Sequence, residues 1–477
     1  MNWMEKIDQY ILSVNDYLYT YVMIALLIGL GLFFSFGTRF VQFRLFGEMF
    51  RVIFEKSTIS AKGKEGISSF QAFTVSAASR IGTGNLAGVA TAIAAGGPGA
   101  VFWMWLIAFI GAASSFIEST LAQIYKVKDE NGFRGGPAYY MERGLNKRWM
   151  GIIFAVTITF CFGLVFNAVQ SNTISIAMNE SFNVSKPIVG LVLCILTALI
   201  IFGGLKRIAH VTQVLVPVMA IVYILVALFV LIINITEIPA MFMLIIKNAF
   251  GMEEAVGGTL GAAVMNGIKR GLFSNEAGMG SAPNAAAAAS VSHPVKQGLI
   301  QTLGVFVDTI VVCSATAFII LLSGQYLRED ASSINLTQSA LSVHIGEWAA
   351  IFLAVAIFLF AFSSVIGNYY YGETNLEFIK NSPIALFIYR MAVIGMVYFG
   401  SIAKISLVWD MADLFMAIMA LINLVAIAML YKIAVAALKD YQQQRRAGKE
   451  PVFYADSIEG IGKADSWERK RQEEGQA

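Results

Sequence analysis

The feature that most constrains this chain is its succession of apolar blocks, many of them twenty or more residues long. As helix, a block of that length crosses about 30 Å of hydrocarbon. Hydrophobic residues make up 57% of the 477 positions and charged residues 14%, and the mean hydropathy is +0.68. A soluble chain of this size needs far more polar surface to stay in water. The expected class is an all-α integral membrane protein. Residues 1–17 are mixed and polar, with Lys6, Asp8, Asn15 and Asp16, and do not read as a cleavable signal. The net charge of +3 is too small to point to nucleic acid. Cys161, Cys194 and Cys313 all lie inside apolar blocks and read as small buried hydrophobes rather than metal or redox groups.

About eleven spans are expected: 18–37, 68–95, 99–125, 151–179, 187–204, 208–233, 258–284, 296–323, 347–371, 384–403 and 408–438. The linker 38–67 carries Arg39, Arg44, Arg51, Lys56, Lys62 and Lys64. The loop 126–150 carries Lys126, Lys128, Arg134, Arg143, Lys147 and Arg148, and the tail carries Lys439, Arg445, Arg446 and Lys449. Cations in short loops mark the cytoplasmic side. An odd number of spans puts all three segments there only with the N-terminus outside and the C-terminus in the cytoplasm. The loop 234–257, with its single Lys247, then falls outside. The tail 439–477 is charged and poor in apolar residues, which predicts a solvated or disordered extension. The chain so divides into an extra helix and basic linker (1–67), a first half (68–233), an external loop (234–257), a second half (258–440) and a cytoplasmic tail (441–477).

Two spans, the first of each half, are interrupted. Ser79-Arg80-Ile81-Gly82-Thr83-Gly84-Asn85 puts two glycines, a charge and an amide at bilayer depth. Gly271-Leu272-Phe273-Ser274-Asn275-Glu276-Ala277-Gly278-Met279-Gly280-Ser281 repeats the pattern. Glycine weakens helix, and Thr and Asn compete for backbone groups. Unwound backbone is tolerated in a membrane only where it lines a cavity or coordinates something. Paired interruptions at matched places in two halves point to the binding site of a secondary transporter. Helix-end amides attract a carboxylate, and freed carbonyls with hydroxyls suit Na⁺. The competing reading is that the glycines serve close helix packing alone.

Several motifs carry a family resemblance. The run Gly96-Gly97-Pro98-Gly99-Ala100-Val101-Phe102-Trp103-Met104-Trp105, ending at Gly111, resembles the signature of the alanine or glycine:cation (sodium:alanine) symporter family. Gly82-Thr83-Gly84-Asn85, Gly135-Gly136-Pro137 and the run Asn275 to Ser281 fit it too, and the likeness extends from about 15 to 440. It implies a LeuT-type fold, a five-plus-five inverted repeat preceded by one extra helix. By that resemblance Gly82, Thr83 and Gly84 offer amides to a substrate carboxylate. A β-carbon on Gly84 would block that approach and strain an unusual backbone. Gln170, Phe273, Glu276, Gly278 and Met279 are counted with the amino-acid pocket. Asn85 and Ser274 fall where one sodium binds. Ser363 and Ser364, with carbonyls of Ala78, Ile81 and Phe360, fall where a second does. Oxygen ligands without a carboxylate suit a weakly held monovalent cation. The implied activity is import of a small neutral amino acid, alanine or glycine, with Na⁺ as coupling ion and no other cofactor. The expected partners are the substrate and the lipid bilayer of the cell membrane, with no nucleic acid, and the chain is expected to be a monomer.

One position departs from the pattern. Many family members carry tryptophan after the glycine of Ile366-Gly367-Asn368-Tyr369, where this chain has Asn368. The fold alignment turns that position to the substrate side chain, so glutamine or asparagine becomes an alternative substrate. A capping or packing role for Asn368 is the rival reading. Arg80, Glu118, Lys269, Arg270, Glu276 and Asp308 sit in or near apolar spans, where each costs at least about 2.5 kcal/mol and needs a partner or a wet cavity. A salt bridge between Arg80 and Glu276 is expected, and Lys269 and Arg270 should face a vestibule. Asp308 reads equally as a proton or sodium site and as a packing residue. The three histidines, His210, His293 and His344, fall near span ends and read as bland. With no G-x-S-x-G and no H-E-x-x-H, an enzyme is not expected. A channel would need a continuous polar stripe, whereas the polar residues cluster at mid-depth. A proton-coupled transporter on the same fold remains the rival.

Overall fold

A computed structural model of the chain describes residues 3–55, 67–129, 132–252, 259–328 and 333–468. Lys56, Lys62 and Lys64 of the basic linker, and the tail beyond 468, lie outside the described residues. The principal helices of the first half are α1 (Gln9–Gly37), α2 (Phe46–Ile53), α3 (Ser69–Arg80), α4 (Gly84–Gly96) and α5 (Ala100–Ile124). A short hairpin, β1 (Val127–Asp129) with β2 (Gly132–Arg134), leads to α6 (Pro137–Arg143). Then come α7 (Arg148–Phe182), α8 (Lys186–Ile201), α9 (Gly204–Ile233) and α10 (Ile238–Ala249). The second half holds α11 (Leu260–Asn275), α12 (Ala282–Ala288), α13 (Pro294–Ser323) and α14 (Ser333–Ile345). It ends with α15 (Trp348–Ile379), α16 (Pro383–Ile402) and α17 (Ile405–Arg446).

Eight of these, α1, α5, α7, α9, α13, α15, α16 and α17, are long and apolar enough to cross a membrane by length and composition. Along α9 the side chains of Val214, Val218, Ile221, Leu225, Phe229 and Ile232 recur every three or four residues, all exposed. Such a stripe is a liability in water and a natural boundary to lipid. The other three expected spans take a different form. Helix α8 has 16 residues, about 24 Å at 1.5 Å per residue. The segments 68–95 and 258–284 are each split into two shorter helices, because the chain unwinds at their centres.

The two breaks are built differently. Helix α3 opens on a capping box: Ser68 Oγ accepts from Gln71 N–H at 3.1 Å, and Gln71 Oε1 accepts from Ser68 N–H at 2.9 Å. It ends at Arg80, Ile81 leaves the helix at φ −80°, ψ 88°, and the chain re-enters through π-helical turns at Gly84–Gly88. Gly84 has a helical backbone here, so the unusual angles expected at it are not what excludes a side chain. In the second break the left-handed region is used three times, by Glu276 (φ 56°), Gly278 (φ 86°) and Gly280 (φ 82°). For Glu276 that conformation costs roughly 1–2 kcal/mol, and side-chain contacts described below hold it.

The tail corrects the expectation of a solvated extension. Helix α17 runs to Arg446, and residues 451–468 fold back over the end of the bundle. Phe453, Ile458, Ile461, Ala464 and Trp467 are buried. Trp467 Nε1 donates to Gln123 O at 2.8 Å, and Phe453 N–H to Ser292 O at 2.9 Å. Tyr125 Oη donates to Ile461 O at 2.6 Å, and Lys296 pairs with Glu450. Average composition hid five apolar anchors spaced along a charged segment. On the same end of the molecule, Ile67 and Ala289 form a parallel bridge, and Ser290 N–H donates to Ile67 O at 3.0 Å. The start of α3 and the end of α12 are therefore tied together there.

Candidate functional site

The two breaks meet. A β-carbon placed on Gly84 would lie 3.0 Å from the Phe273 ring and 3.1 Å from Ser274 Cα. One placed on Gly82 would lie 2.2 Å from Ser364 Oγ and 3.0 Å from Gln170 Oε1. Four of the residues singled out in the sequence, Gly82 in the break, Gly84 at the start of α4, Gln170 of α7 and Ser364 of α15, thus come together, and Phe273 and Ser274 of α11 stand beside them.

Around it the polar groups sort into clusters. Thr83 N–H and Thr83 Oγ1 both donate to Gln170 Oε1, at 3.1 and 2.6 Å. Gly82 N–H donates to Asn85 Oδ1 at 2.8 Å. The first break is thereby shaped by side chains that accept from its freed amides, as the physics of an unwound segment requires. Behind it, Ser364 Oγ lies 2.8 Å from Ala78 O and 3.2 Å from Phe360 O. Ser363 Oγ lies 2.8 Å from Phe360 O and 3.5 Å from Ala78 O. Two hydroxyls and two carbonyls here give a compact set of neutral oxygens, the donor type suited to a hard monovalent cation. Ile81 sits at the unwinding point next to this set.

A second cluster contains a carboxylate. Asp308, on the π-helical stretch Phe306–Cys313 of α13, accepts from Asn85 Nδ2 at 2.6 Å and from Ser274 Oγ at 2.8 Å. Thr309 Oγ1 donates to it at 3.0 Å. Cys313 Sγ lies 3.1 Å from Ser274 Oγ and 3.3 Å from Asn85 Nδ2. Asn85 and Ser274, expected together, are together. Asp308 joins them, and Cys313 and Thr309 enter a cluster that sequence reasoning did not assign to them. Helical spacing on α13, five residues from Asp308 to Cys313, suits the wider π turn and was the one signal available.

The expected Arg80–Glu276 salt bridge is not formed. Glu276 Oε1 accepts from Ser79 Oγ at 2.6 Å and Glu276 Oε2 from Ser281 Oγ at 2.5 Å. Arg80 Nη1 donates instead to Gln301 O at 3.1 Å. Short neighbouring hydroxyls reach the carboxylate with less ordering than a long guanidinium needs. Ser79 Oγ also lies 2.7 Å from Asn368 Oδ1, while Asn368 Nδ2 is buried and has no hydrogen-bond partner among the described residues. Gly278 has both backbone groups engaged: its N–H donates to Glu118 Oε1 at 3.1 Å and its C=O accepts from Asn423 Nδ2 at 2.9 Å. Glu118 Oε2 accepts from Gly280 N–H at 3.0 Å and from Asn423 Nδ2 at 2.7 Å. Buried Glu118 and Asn423 therefore hold the second break open. Met279, between those two glycines, is fully buried.

At the end of the bundle bearing the start of α1, a cleft of about 580 Å³ is lined by Asp16, Lys269, Arg270, Trp409 and Asp413 among others. Arg270 pairs with Asp413 and lies over the Trp409 ring, its guanidinium carbon 4.5 Å from the centroid. Lys269 Nζ is 3.9 Å from Asp16 and 4.0 Å from Asp413. Both cations face the cleft, as the sequence implied. The rings of Trp409, Phe273 and Phe166 follow one another at 4.8 and 4.6 Å, running from the cleft to the first break.

A bundle of membrane-length helices whose two discontinuous members meet at a buried polar centre defines the class of polytopic membrane transporters. The sodium:alanine symporter family model matches residues 4–455, and the chain belongs to that family. It is 60% identical over 459 residues to the amino-acid carrier protein AlsT of Bacillus subtilis (strain 168), covering 96% of this chain and 97% of that one. It is 56% identical over 465 residues to the "Probable sodium/glutamine symporter GlnT" of the same organism, covering 97% of each. A sodium/proton-dependent alanine carrier protein of Bacillus sp. (strain PS3) is 38% identical over 436 residues, covering 87% of this chain and 98% of that one. The chain is a transporter, not an enzyme.

Proposed function

We propose that this chain is a sodium-coupled symporter that imports a small neutral amino acid by alternating access. The observation that carries the reading is the meeting of the two breaks at Gly84, Phe273 and Ser274, with neutral-oxygen groups clustered on both sides. We read the arrangement as a LeuT-type five-plus-five inverted repeat, 68–233 and 258–440, preceded by α1 and joined by the loop 234–257. It lies in the cell membrane with eleven spans, the N-terminus outside and the C-terminus in the cytoplasm. The chain works as a monomer.

In this reading the backbone of Gly82, Thr83 and Gly84 receives the substrate carboxylate. Gln170, Phe273, Glu276, Gly278, Met279 and Asn368 surround the rest of the amino acid. One Na⁺ is taken by Ser363 and Ser364 with carbonyls of Ala78, Ile81 and Phe360. The other is taken by Asn85 and Ser274, to which Asp308 adds a charge. The cleft beside Arg270 and Asp413 is the outer approach, while the tie between Ile67 and Ala289 keeps the inner side closed. A proton-coupled mechanism is the second reading, favoured by Asp308, an acid wholly buried beside the two breaks, where burial disfavours its charged form. The relative of Bacillus sp. (strain PS3) is named as sodium/proton-dependent.

Substrate choice rests on Asn368. Its unpartnered Nδ2 can donate to a substrate carboxamide, and a buried amide left without a partner costs about 1–3 kcal/mol. Such a cost reaches about tenfold or more in preference, so glutamine is read as a substrate beside alanine, and the printed name of one relative, "Probable sodium/glutamine symporter GlnT", supports that reading. The experiment is uptake of labelled alanine into proteoliposomes, competed by unlabelled alanine, glycine, glutamine and asparagine, in the natural protein and in Asn368→Trp. Glutamine should compete in the natural protein and lose at least about tenfold in the variant. An unchanged order of competitors removes Asn368 from the pocket; absence of any alanine uptake removes the reading itself.

A further inference from the structure

Where α1 ends against α17, the chain makes an unusual turn. Arg39 (φ 56°) and Phe40 (φ 53°) are consecutive non-glycine residues in the left-handed region, a conformation that costs of order 1–3 kcal/mol each and clusters at ligand sites. The turn carries the guanidinium of Arg44 back beneath it. Arg44 Nη2 donates to Thr38 O at 3.0 Å and Nε to Arg39 O at 3.2 Å. A groove of about 160 Å³ results, lined by Thr38, Arg39, Arg44, Lys439, Gln442 and Arg446 among others, and no acidic side chain lines it.

The cations of this groove differ from their neighbours at the same end of the molecule. Arg51, Arg134, Arg143, Arg148 and Arg445 each hold a carboxylate within 4.0 Å. Among the described residues Arg39, Arg44, Lys439 and Arg446 are in no such pair. The nearby acids are committed elsewhere: Glu48 to Arg51 and Arg445, Asp440 to His293. Burial, then the like charges of Arg39 and Arg446, push Arg44 below its ordinary range. Arg44 is held by the Thr38 and Arg39 carbonyls and faces the Gln442 amide, but among the described residues no carboxylate offsets the charge of these four cations. Phe36, Phe40 and Phe43 are exposed beside the groove, at the end of a membrane-length helix.

We propose that this groove binds the phosphate of an anionic lipid headgroup, with the acyl chains lying along Phe36, Phe40 and Phe43. Arginine forks match phosphate oxygens bidentately, and basic pockets between membrane helices hold anionic headgroups for that reason. The purified full chain is tested in detergent by thermal melting and by native mass spectrometry, with phosphatidylglycerol, phosphatidylcholine or inorganic phosphate added. Phosphatidylglycerol should bind and raise the melting temperature, and phosphatidylcholine should not. Substituting Arg39→Gln, Arg44→Gln and Arg446→Gln together should weaken phosphatidylglycerol binding on the order of a hundredfold. Arg446→Gln alone, at the exposed end of α17, gives a smaller loss without risk to the fold. Arg148→Gln, whose cation already holds Glu142, should leave binding unchanged. Equal binding of the two lipids, or full binding by the triple variant, overturns the proposal. Inorganic phosphate that displaces phosphatidylglycerol and reproduces its stabilisation overturns the lipid as the source and leaves a free-anion site.

Discussion

A β-carbon on Gly84 would stand 3.0 Å from the Phe273 ring and 3.1 Å from the backbone of Ser274, tighter than ordinary contacts in a close-packed interior. Alanine there would have to push one of them aside, and valine adds two methyl groups with no space to receive them. Gly84→Val should therefore abolish uptake while the protein still inserts, runs as one species in detergent and keeps its helical circular dichroism. Near-normal transport by that variant would take the first break out of the site. At this scale the sequence spoke clearly about glycine but for an incomplete reason. Two glycines beside Thr and Asn in an apolar span announce an interruption. Which atoms crowd Gly84 depends on Phe273 and Ser274, nearly two hundred positions away. The charged residues were harder. Charge and a place in the two breaks suggest pairing Arg80 with Glu276, but the carboxylate is taken by the shorter hydroxyls of Ser79, beside Arg80, and Ser281, in its own break. Nothing local signals that Glu118 cradles Gly278 and Gly280.

At the scale of elements, the tail shows where composition misleads. Mean polarity predicted a solvated segment, because it averages five buried apolar side chains over a charged stretch. Those anchors sit on the ends of α5 and α6, on the α12–α13 connection and along α17, each of which contributes polar contacts to the strap. Trp467 is nearly buried and its indole N–H is satisfied. Trp467→Ala should cost roughly 3 kcal/mol of docking, read as a lower melting temperature in detergent and faster proteolysis between 447 and 468. Lys449→Ala, at an exposed position, should do neither. A Trp467→Ala protein that melts and resists protease like the parent would mean the strap is not held there. Acid should loosen the same strap. Burial alone would raise the Glu450 carboxyl, but Lys296, then Arg51 and Arg445, hold it below its ordinary value. A depressed carboxylate contributes fully above its unfolded pKa and is lost as pH falls through the folded one, so the loosening belongs below about pH 4.5.

Across the whole molecule, the long apolar helices were legible because 3.6-residue helices of twenty apolar residues have one home. The interrupted spans were legible as glycine-rich lapses in that pattern. The eight membrane-length helices and the two split segments follow directly. What a single chain of letters could not separate is Na⁺ from H⁺, because the clusters lie side by side: Ser363 and Ser364 with neutral oxygens, Asp308 with a charge. The central claim is that neutral oxygens around the broken helices couple Na⁺ to amino-acid entry. The most direct measurement is initial uptake of labelled alanine into proteoliposomes, under an inward Na⁺ gradient or in choline buffer with an inward pH gradient, for the natural protein and for Ser364→Ala. The account predicts uptake that requires Na⁺, and a Ser364→Ala protein whose apparent Na⁺ affinity falls more than its alanine affinity at saturating Na⁺. Uptake that runs undiminished in choline on the pH gradient alone would contradict it and move the coupling to Asp308.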